Sequence, residues 1–289
     1  MDLATPSRTA YAVAVRRATH QLYDPPPHVL TDPIAVRILG PAGQPRLEEA
    51  RAALDEPGNI GLRCWLVARS RYAEDKLAEA VAAGVNQYVL LGAGLDTFAH
   101  RNPHPHLRVF EVDHPATQAW KRQLVAAAAL PHPASLTYAP CNFECESLPI
   151  QLAAAGFDPA TPAFFAWLGV VMYLTLPAFR ETVAFIAARP PGSGLVFDYS
   201  QPLSVLSTRE RIAREIFHAR VASIGEPFQL HFTPAEAARE LNAQADFFNL
   251  EDLGTGDLNS LFFANRPEVQ GKAKLQLFGQ SARLLSAWL

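Results

Sequence analysis

Apolar and polar positions change period along this chain, and the changes separate helices from strands. From about Gly61 to Ala83 apolar residues recur at helical spacing, and Gly84 stands where a helix can end. Tyr88 to Leu91 is then a continuous apolar run of strand formers, entering a glycine turn in QYVLLGAG. LRVFEVD at 107–113 and SLTYAP at 135–140 predict a second and third strand, AFFAWLG at 163–169 and GLVFDYS at 194–200 two more. Helices are expected over about 144–155 and 177–189, with loops at the proline clusters 25–28, 102–106, 131–133 and 189–192. Strands alternating with helices predict a mainly parallel sheet covered on both faces. Ser204 to Val221 predicts an extra helix laid over that sheet. QADFFNLEDL followed by LNSLFFANR reads as two closing strands forming an antiparallel hairpin at the sheet edge. KLQLFGQSARLLSAWL, apolar at helical spacing, is expected to dock on the body or on a second copy, which leaves a homodimer open. The expected architecture is a doubly wound α/β domain over 1–289 with a seven-stranded sheet. Its parts are an N-terminal helical cover (1–60), a core (61–200), an inserted helical cover over the site (201–245), and closing strands with a C-terminal helix (246–289).

Composition narrows the partners. The 289 residues are 49% hydrophobic, enough for a sizeable core, and the net charge of -3 comes without any long basic run. That pattern argues against nucleic acid and anionic membrane as partners and points to a small molecule. The apolar stretches are too short and punctuated to span a bilayer, and Arg16 and Arg17 break the N-terminal one, so a cytoplasmic location is expected. Cys64, Cys141 and Cys145 read as free thiols, and the nine scattered histidines give no metal-ligand pattern, so no metal is expected.

Chemistry is expected at the carboxyl ends of the strands, where the first turn must let a ligand approach the backbone. LLGAGLDT occupies that place: Gly92, Ala93 and Gly94 form the turn, and the second strand ends in Glu111-Val112-Asp113, where an acid can accept both hydroxyls of a ribose. A dinucleotide turn needs a third glycine, and here the third position is Thr97. Leu95 inside the turn and Asp96 after it argue against a pyrophosphate, which Asp96 would repel. A sulfonium cofactor without phosphate, S-adenosylmethionine, fits better, and Ala93, Asp96 and Leu168 are expected among the residues that bind it. An NAD(P)-dependent oxidoreductase is the competing reading, but it lacks the third glycine and a Y-x-x-x-K pair.

ARSRYAEDKL, YVLLGAGLDTFAHR, FEVDHPATQAWKR, FFAWLGVVMYLT and VFDYS together resemble the leucine carboxyl methyltransferase-type family of class I methyltransferases, in particular its bacterial O-methyltransferase branch. The likeness runs over nearly the whole chain and implies a Rossmann-like fold, S-adenosylmethionine as cofactor and methyl transfer to a small-molecule acceptor. It further implies that Gly92 and Gly94 line the cofactor, that Asp113, or Glu111 beside it, holds the ribose, and that Arg69, with Arg71 as the alternative, meets the cofactor carboxylate. Two positions depart from the family's pattern. Asn142-Phe143 stands where relatives have an acid near the adenine, and an Asn carbonyl can still accept the adenine amino proton. Leu168 stands where phosphatase-directed members carry Glu, which puts the phosphatase substrate and a charged contact to the cofactor amine in doubt. These two departures also motivate a third reading, a catalytically silent cofactor-binding scaffold.

Methyl transfer is an in-line displacement on an activated carbon, so positioning can supply most of the catalysis. Tyr173 and Tyr199, after the fourth and fifth strands, are the candidates to orient an acceptor; His114 and His231 are read as packing histidines. The extra helix carries Arg209, Arg211, Arg214 and Arg220, read as a solvated face. Its Phe217 and Ile212, with Val205 and Leu206, are expected to line an apolar acceptor pocket.

Overall fold

The computed structural model describes residues 7–223, 225–267 and 269–289. Strands β1 (Gln87–Leu91), β2 (Arg108–Asp113), β3 (Leu136–Pro140), β4 (Ala163–Trp167), β5 (Gly194–Ser200), β6 (Phe248–Leu253) and β7 (Ala282–Trp288) form one sheet in the order β3-β2-β1-β4-β5-β7-β6. The first five pair in parallel, while β7 is antiparallel to both β5 and β6. Chain order reverses between β1 and β4, so a crevice opens at the carboxyl ends of those strands.

β1, β4 and β5 are buried along their whole length, as their unbroken apolar runs require. One apolar cluster joins α4 (Pro57–Ala82) to the sheet through Cys64, Ala68, Tyr72 and Leu77; the opposite face packs on α6 (Leu148–Ala154) and α7 (Leu176–Ala187) through Leu152, Phe179, Val183 and Ile186. α7 starts where Thr175 caps it and Pro177 supplies a preset φ in the first turn.

The N-terminal cover comprises α1 (Arg8–Tyr23), α2 (Pro33–Leu39) and α3 (Gln44–Ala52). Ser7 and Asp32 cap the first two helices through side-chain oxygens. α5 (Pro115–Ala127) follows β2. The helix expected near 204–221 is α8 (Thr208–Ser223), followed by α9 (Pro234–Asn242), whose Thr233–Glu236 pair is a reciprocal capping box.

The closing hairpin differs from expectation. QADFFNLEDL does supply β6, but LNSLFFANR folds as α10 (Thr255–Phe262), with Leu258 buried and Asp257 accepting from Gly254 N at 2.8 Å. The last strand comes from the stretch read as a helix: β7 slots between β5 and β6, and Leu284 to Ala287 are buried. The expected helix over 144–155 is shorter, because a turn at Asn142 to Glu146 precedes it.

Candidate active site

After β1 the backbone turns sharply at Gly92, φ +70, and its N–H and that of Ala93 both donate to the Val112 carbonyl, at 2.8 and 3.0 Å. No other residue suits Gly92, since a Cβ there would lie 2.2 Å from Val170 Cγ2 in the segment after β4. Gly94, φ +51, donates its N–H to a carboxylate oxygen of Asp113; the second oxygen accepts from His114 N at 2.7 Å. Asp113 is thereby held at the lip of the turn with lone pairs to spare. Burial raises its pKa, and the two N–H donors only partly offset that.

The neighbouring acid has different work. Glu111 is 1% exposed, and its carboxylate meets the equally buried Lys121 of α5. Burial pushes the Glu111 carboxyl up to about 7, with Lys121 pulling against it. Of the two acids, only Asp113 touches the glycine turn.

Asp96 is fixed from outside the turn. Arg17 of α1 reaches it at 2.6 Å and also binds Asp32 at 2.7 Å, while Phe98 N donates to its other oxygen at 2.7 Å. Burial opposes ionisation, yet the Arg17, Arg101 and Lys121 charges outweigh it and hold the carboxyl well below its ordinary range. Arg17 thus offsets the repulsion of phosphate expected of Asp96, and through Asp96 and Asp32 it straps the N-terminal cover onto the turn that Asp96 follows. Thr97 joins the same network by donating to Asp32 at 2.7 Å. Leu95 packs on α1 beside Ala14, Val15 and Ala18. The cover lies close, for a Cβ on Gly94 would be 3.1 Å from Ala10 Cβ.

Arg69 lies near the strand ends on the inner face of α4 and donates from Nη1 to Asp198 of β5 at 2.7 Å. Arg71, the alternative, is exposed and paired with Asp75 at 2.7 Å, so it faces away from the site. Leu168 is half-buried and packs toward α4, leaving an apolar strand end. Asn142 closes its own turn by accepting from Glu144 N at 3.0 Å. Phe143 lines a surface cleft of about 490 Å³ between that turn and α7. This cleft borders the expected adenine side but does not include Gly92, Gly94 or Asp113, which lie under α1 and Val170.

The two tyrosines part company. Tyr173 is half-buried just after β4, hydrogen-bonded to the Thr9 side chain, with its ring edge-on to Phe228 at 5.0 Å. Burial pushes its hydroxyl up to about 12. Tyr199, by contrast, is fully buried and donates to Asp252 of β6 at 2.5 Å, an acid also held by Arg283. It packs the far side of the sheet and does not reach the glycine turn. The expected apolar pocket is not assembled as read either: Leu206 is buried, but Val205, Ile212 and Phe217 are exposed, and α8 turns inward Val221 together with Arg214, which lies on Ser200 at 2.7 Å. His231 stacks on His218 at 5.5 Å, and burial lowers both, His218 to about 4.

Residues 10–187 match the leucine carboxyl methyltransferase family. The chain belongs to that family. It is 37% identical over 207 residues to the "Putative S-adenosyl-L-methionine-dependent methyltransferase YktD" of Bacillus subtilis, covering 70% of this chain and 67% of that protein. A like-named protein of Mycobacteroides abscessus is 33% identical over 168 residues, 57% of this chain and 55% of its own length. Aligned segments therefore span between about half and two thirds of these relatives. Among solved structures, a "putative methyltransferase" from Thermobifida fusca superposes with a TM-score of 0.58 at 18% identity, covering 99% of this chain and 96% of that one, a likeness of fold. S-adenosylmethionine is the cofactor of the family and of this member, and the fold is the class I, Rossmann-like one.

The residues at hand fit that cofactor. Asp113 offers unspent acceptor capacity where two ribose hydroxyls need it, and Arg69 offers a guanidinium for a carboxylate. Sequence reasoning missed Asp198, which stands in the quoted VFDYS beside the tyrosine chosen instead. Among the described residues no helix is long and apolar enough to cross a membrane, and no His/Cys/Asp/Glu cluster is arranged to hold a metal.

Proposed function

We propose that this chain is a methyltransferase that methylates an oxygen, carboxyl or acidic hydroxyl, of a small-molecule acceptor. The observation that carries the cofactor side is Asp113 clasped to Gly94 N at the crevice between β1 and β4. The bound cofactor supplies a methyl carbon already activated by a sulfonium centre. Gly92, Ala93 and Gly94 give it main-chain surface, Asp113 the ribose contact, Arg69 the carboxylate contact, and the Asn142–Phe143 turn the adenine side.

The acceptor oxygen follows from proton accounting. With its pKa near 12, Tyr173 is protonated at neutral pH and acts there as a hydrogen-bond donor. His218, at about 4, and His231, also lowered, are neutral and weakly basic. A site so furnished suits an acceptor that arrives ionised, a carboxylate or acidic phenol, for which orientation by Tyr173 suffices.

Competitive methylation with labelled cofactor tests this, offering phenols of graded acidity, aromatic and fatty acids, simple amines, and a peptide ending in leucine. Labelling should fall on carboxylates and acidic phenols. Exclusive labelling of amines refutes oxygen transfer, and exclusive labelling of the peptide refutes the small-molecule acceptor. The oxidoreductase alternative is separated by calorimetry, in which NAD(H) binding without S-adenosylmethionine binding would decide for it. Binding without turnover on every class would favour the silent scaffold.

A further inference from the structure

We propose that Asp198 is a positioning residue that aims Arg69 at the amino-acid carboxylate of the cofactor. The inference deepens the proposed function, since it rests on Arg69 making that contact. Asp198 is 1% exposed near the carboxyl end of β5. One of its oxygens accepts from Arg69 Nη1 at 2.7 Å, and the other accepts from Gly169 N just beyond β4. A single carboxylate thus ties together β5, α4 and the segment after β4.

Gly169 completes the clamp. Its φ is +73, and a Cβ on it would fall 2.7 Å from Arg69 Nη2, 3.0 Å from Nη1 and 3.2 Å from Cζ. The guanidinium therefore occupies the space that the missing side chain leaves. Asp198 holds one nitrogen and Gly169 backs the rest, so the fork loses the rotational freedom that a long side chain otherwise has. Among the described residues Arg69 makes no other hydrogen bond, and the remaining donors of the fork are unspent. The next residue, Val170, sits over Gly92, so the clamp abuts the turn that would carry the cofactor.

The other acids at the strand ends have different partners. Asp113 accepts from Gly94 and His114, Asp96 meets Arg17, and Glu111 meets Lys121. Asp198 is the one among them that engages Arg69. Asparagine cannot replace it without loss, because the site presents two donors and an amide has one oxygen; its NH2 group would face either Arg69 or the Gly169 N–H.

Two ligands read the effect: S-adenosylhomocysteine, which has the amino-acid end, and 5′-methylthioadenosine, which shares the adenosine and thioether but lacks it. Calorimetry on the full chain compares wild type, Asp198→Asn, Gly169→Ala and Arg69→Met, with thermal melts to establish folding. In Asp198→Asn, S-adenosylhomocysteine affinity should fall roughly tenfold or more, the scale of a mis-made charged hydrogen bond, with methylthioadenosine within about twofold. Gly169→Ala displaces the fork by another route and should give the same selective loss, which carries the test if Asp198→Asn does not fold. Equal losses for both ligands would make Asp198 merely structural and overturn the proposal. So would unchanged affinity, or tighter binding of S-adenosylhomocysteine, which would show Asp198 competing for Arg69. Arg69→Met guards the underlying reading: if it leaves the preference for S-adenosylhomocysteine intact, that reading fails. If it removes the preference while Asp198→Asn and Gly169→Ala do not, only the role of Asp198 fails.

Discussion

Replacing Arg17 with methionine should unfasten the N-terminal cover from the glycine turn. The guanidinium is 3% exposed and binds Asp32 at 2.7 Å and Asp96 at 2.6 Å, with Thr97 Oγ1 at 3.2 Å. Methionine keeps much of the volume but takes the closest cation from two carboxylates, of which Asp32 is 1% exposed. Removing one partner of a buried ion pair costs about 3–5 kcal/mol, a large part of a typical stability of about 5–15 kcal/mol. At roughly 2–4 °C per kcal/mol, Tm should fall by about 6–20 °C. The pH response carries a sharper signature. In the wild type the Asp96 pKa is depressed, so its contribution is present above the unfolded value near 3.9 and is lost as pH falls through the lower folded value. Once Arg17 is gone, Arg101, Lys121 and the Phe98 N–H still oppose burial but the largest cationic influence is lost, so the folded pKa should rise toward the unfolded one. The variant should then lose less stability than the wild type as pH falls from about 5 to 2, because less of the Asp96 contribution is there to be titrated away. Urea unfolding at several pH values, combined with a double-mutant cycle to Asp96→Asn, measures both. A loss under about 1 kcal/mol, or coupling below about 0.5 kcal/mol, would refute the strap.

Other outcomes follow from the same geometry. Asp113→Asn should weaken S-adenosylhomocysteine binding by about 1.5–3 kcal/mol in calorimetry while Glu111→Gln leaves it within about twofold; the reverse order would reassign the ribose acid. Tyr199→Phe should cost about 0.5–1.5 kcal/mol of stability through its lost bond to Asp252, with KM and kcat unchanged, whereas Tyr173→Phe should alter turnover; a kinetic defect confined to Tyr199→Phe would contradict the placement. Ellman titration of the native protein near pH 8 should modify Cys145 alone, because it is exposed while burial pushes the Cys64 and Cys141 thiols up to about 12; fast reaction of two or three thiols would disagree.

The parallel half of the sheet could be read from sequence because its strands are continuous apolar runs bounded by turn residues. That signal misled at the other edge. ARLLSAW is buried between two strands, so it lacks the alternation of a half-exposed strand, and its leucines also suit a helix. The glycine turn and the acids of β2 were visible as a local motif, and so was Arg69. The choice between Asp113 and Glu111 was not, because it turns on Lys121, whose contact requires the β2–α5 packing. The strap joins Arg17 to Asp96 across 79 positions, a relation no periodicity encodes. Asp198 and Tyr199 were equally conspicuous in VFDYS, but adjacent strand residues point to opposite faces. The acid turns to α4 and the tyrosine toward β6, so choosing between them required knowing which face holds the crevice.

The placement of β7 between β5 and β6 dictates an order of assembly. Among the described residues β6 pairs only with β7, so although it is made earlier in the chain it has no sheet to join until residues 282–288 arrive. Until then β5 presents an open edge flanked by the buried residues Leu195 to Tyr199, a template for pairing with another molecule. The parallel core can form first, but α8, α9, β6 and α10 all lie in the loop that this last strand closes, so the second half of the molecule is fastened in one late step. A truncation that removed only these seven residues would break two strand ladders rather than one, and its first symptom should be association between molecules.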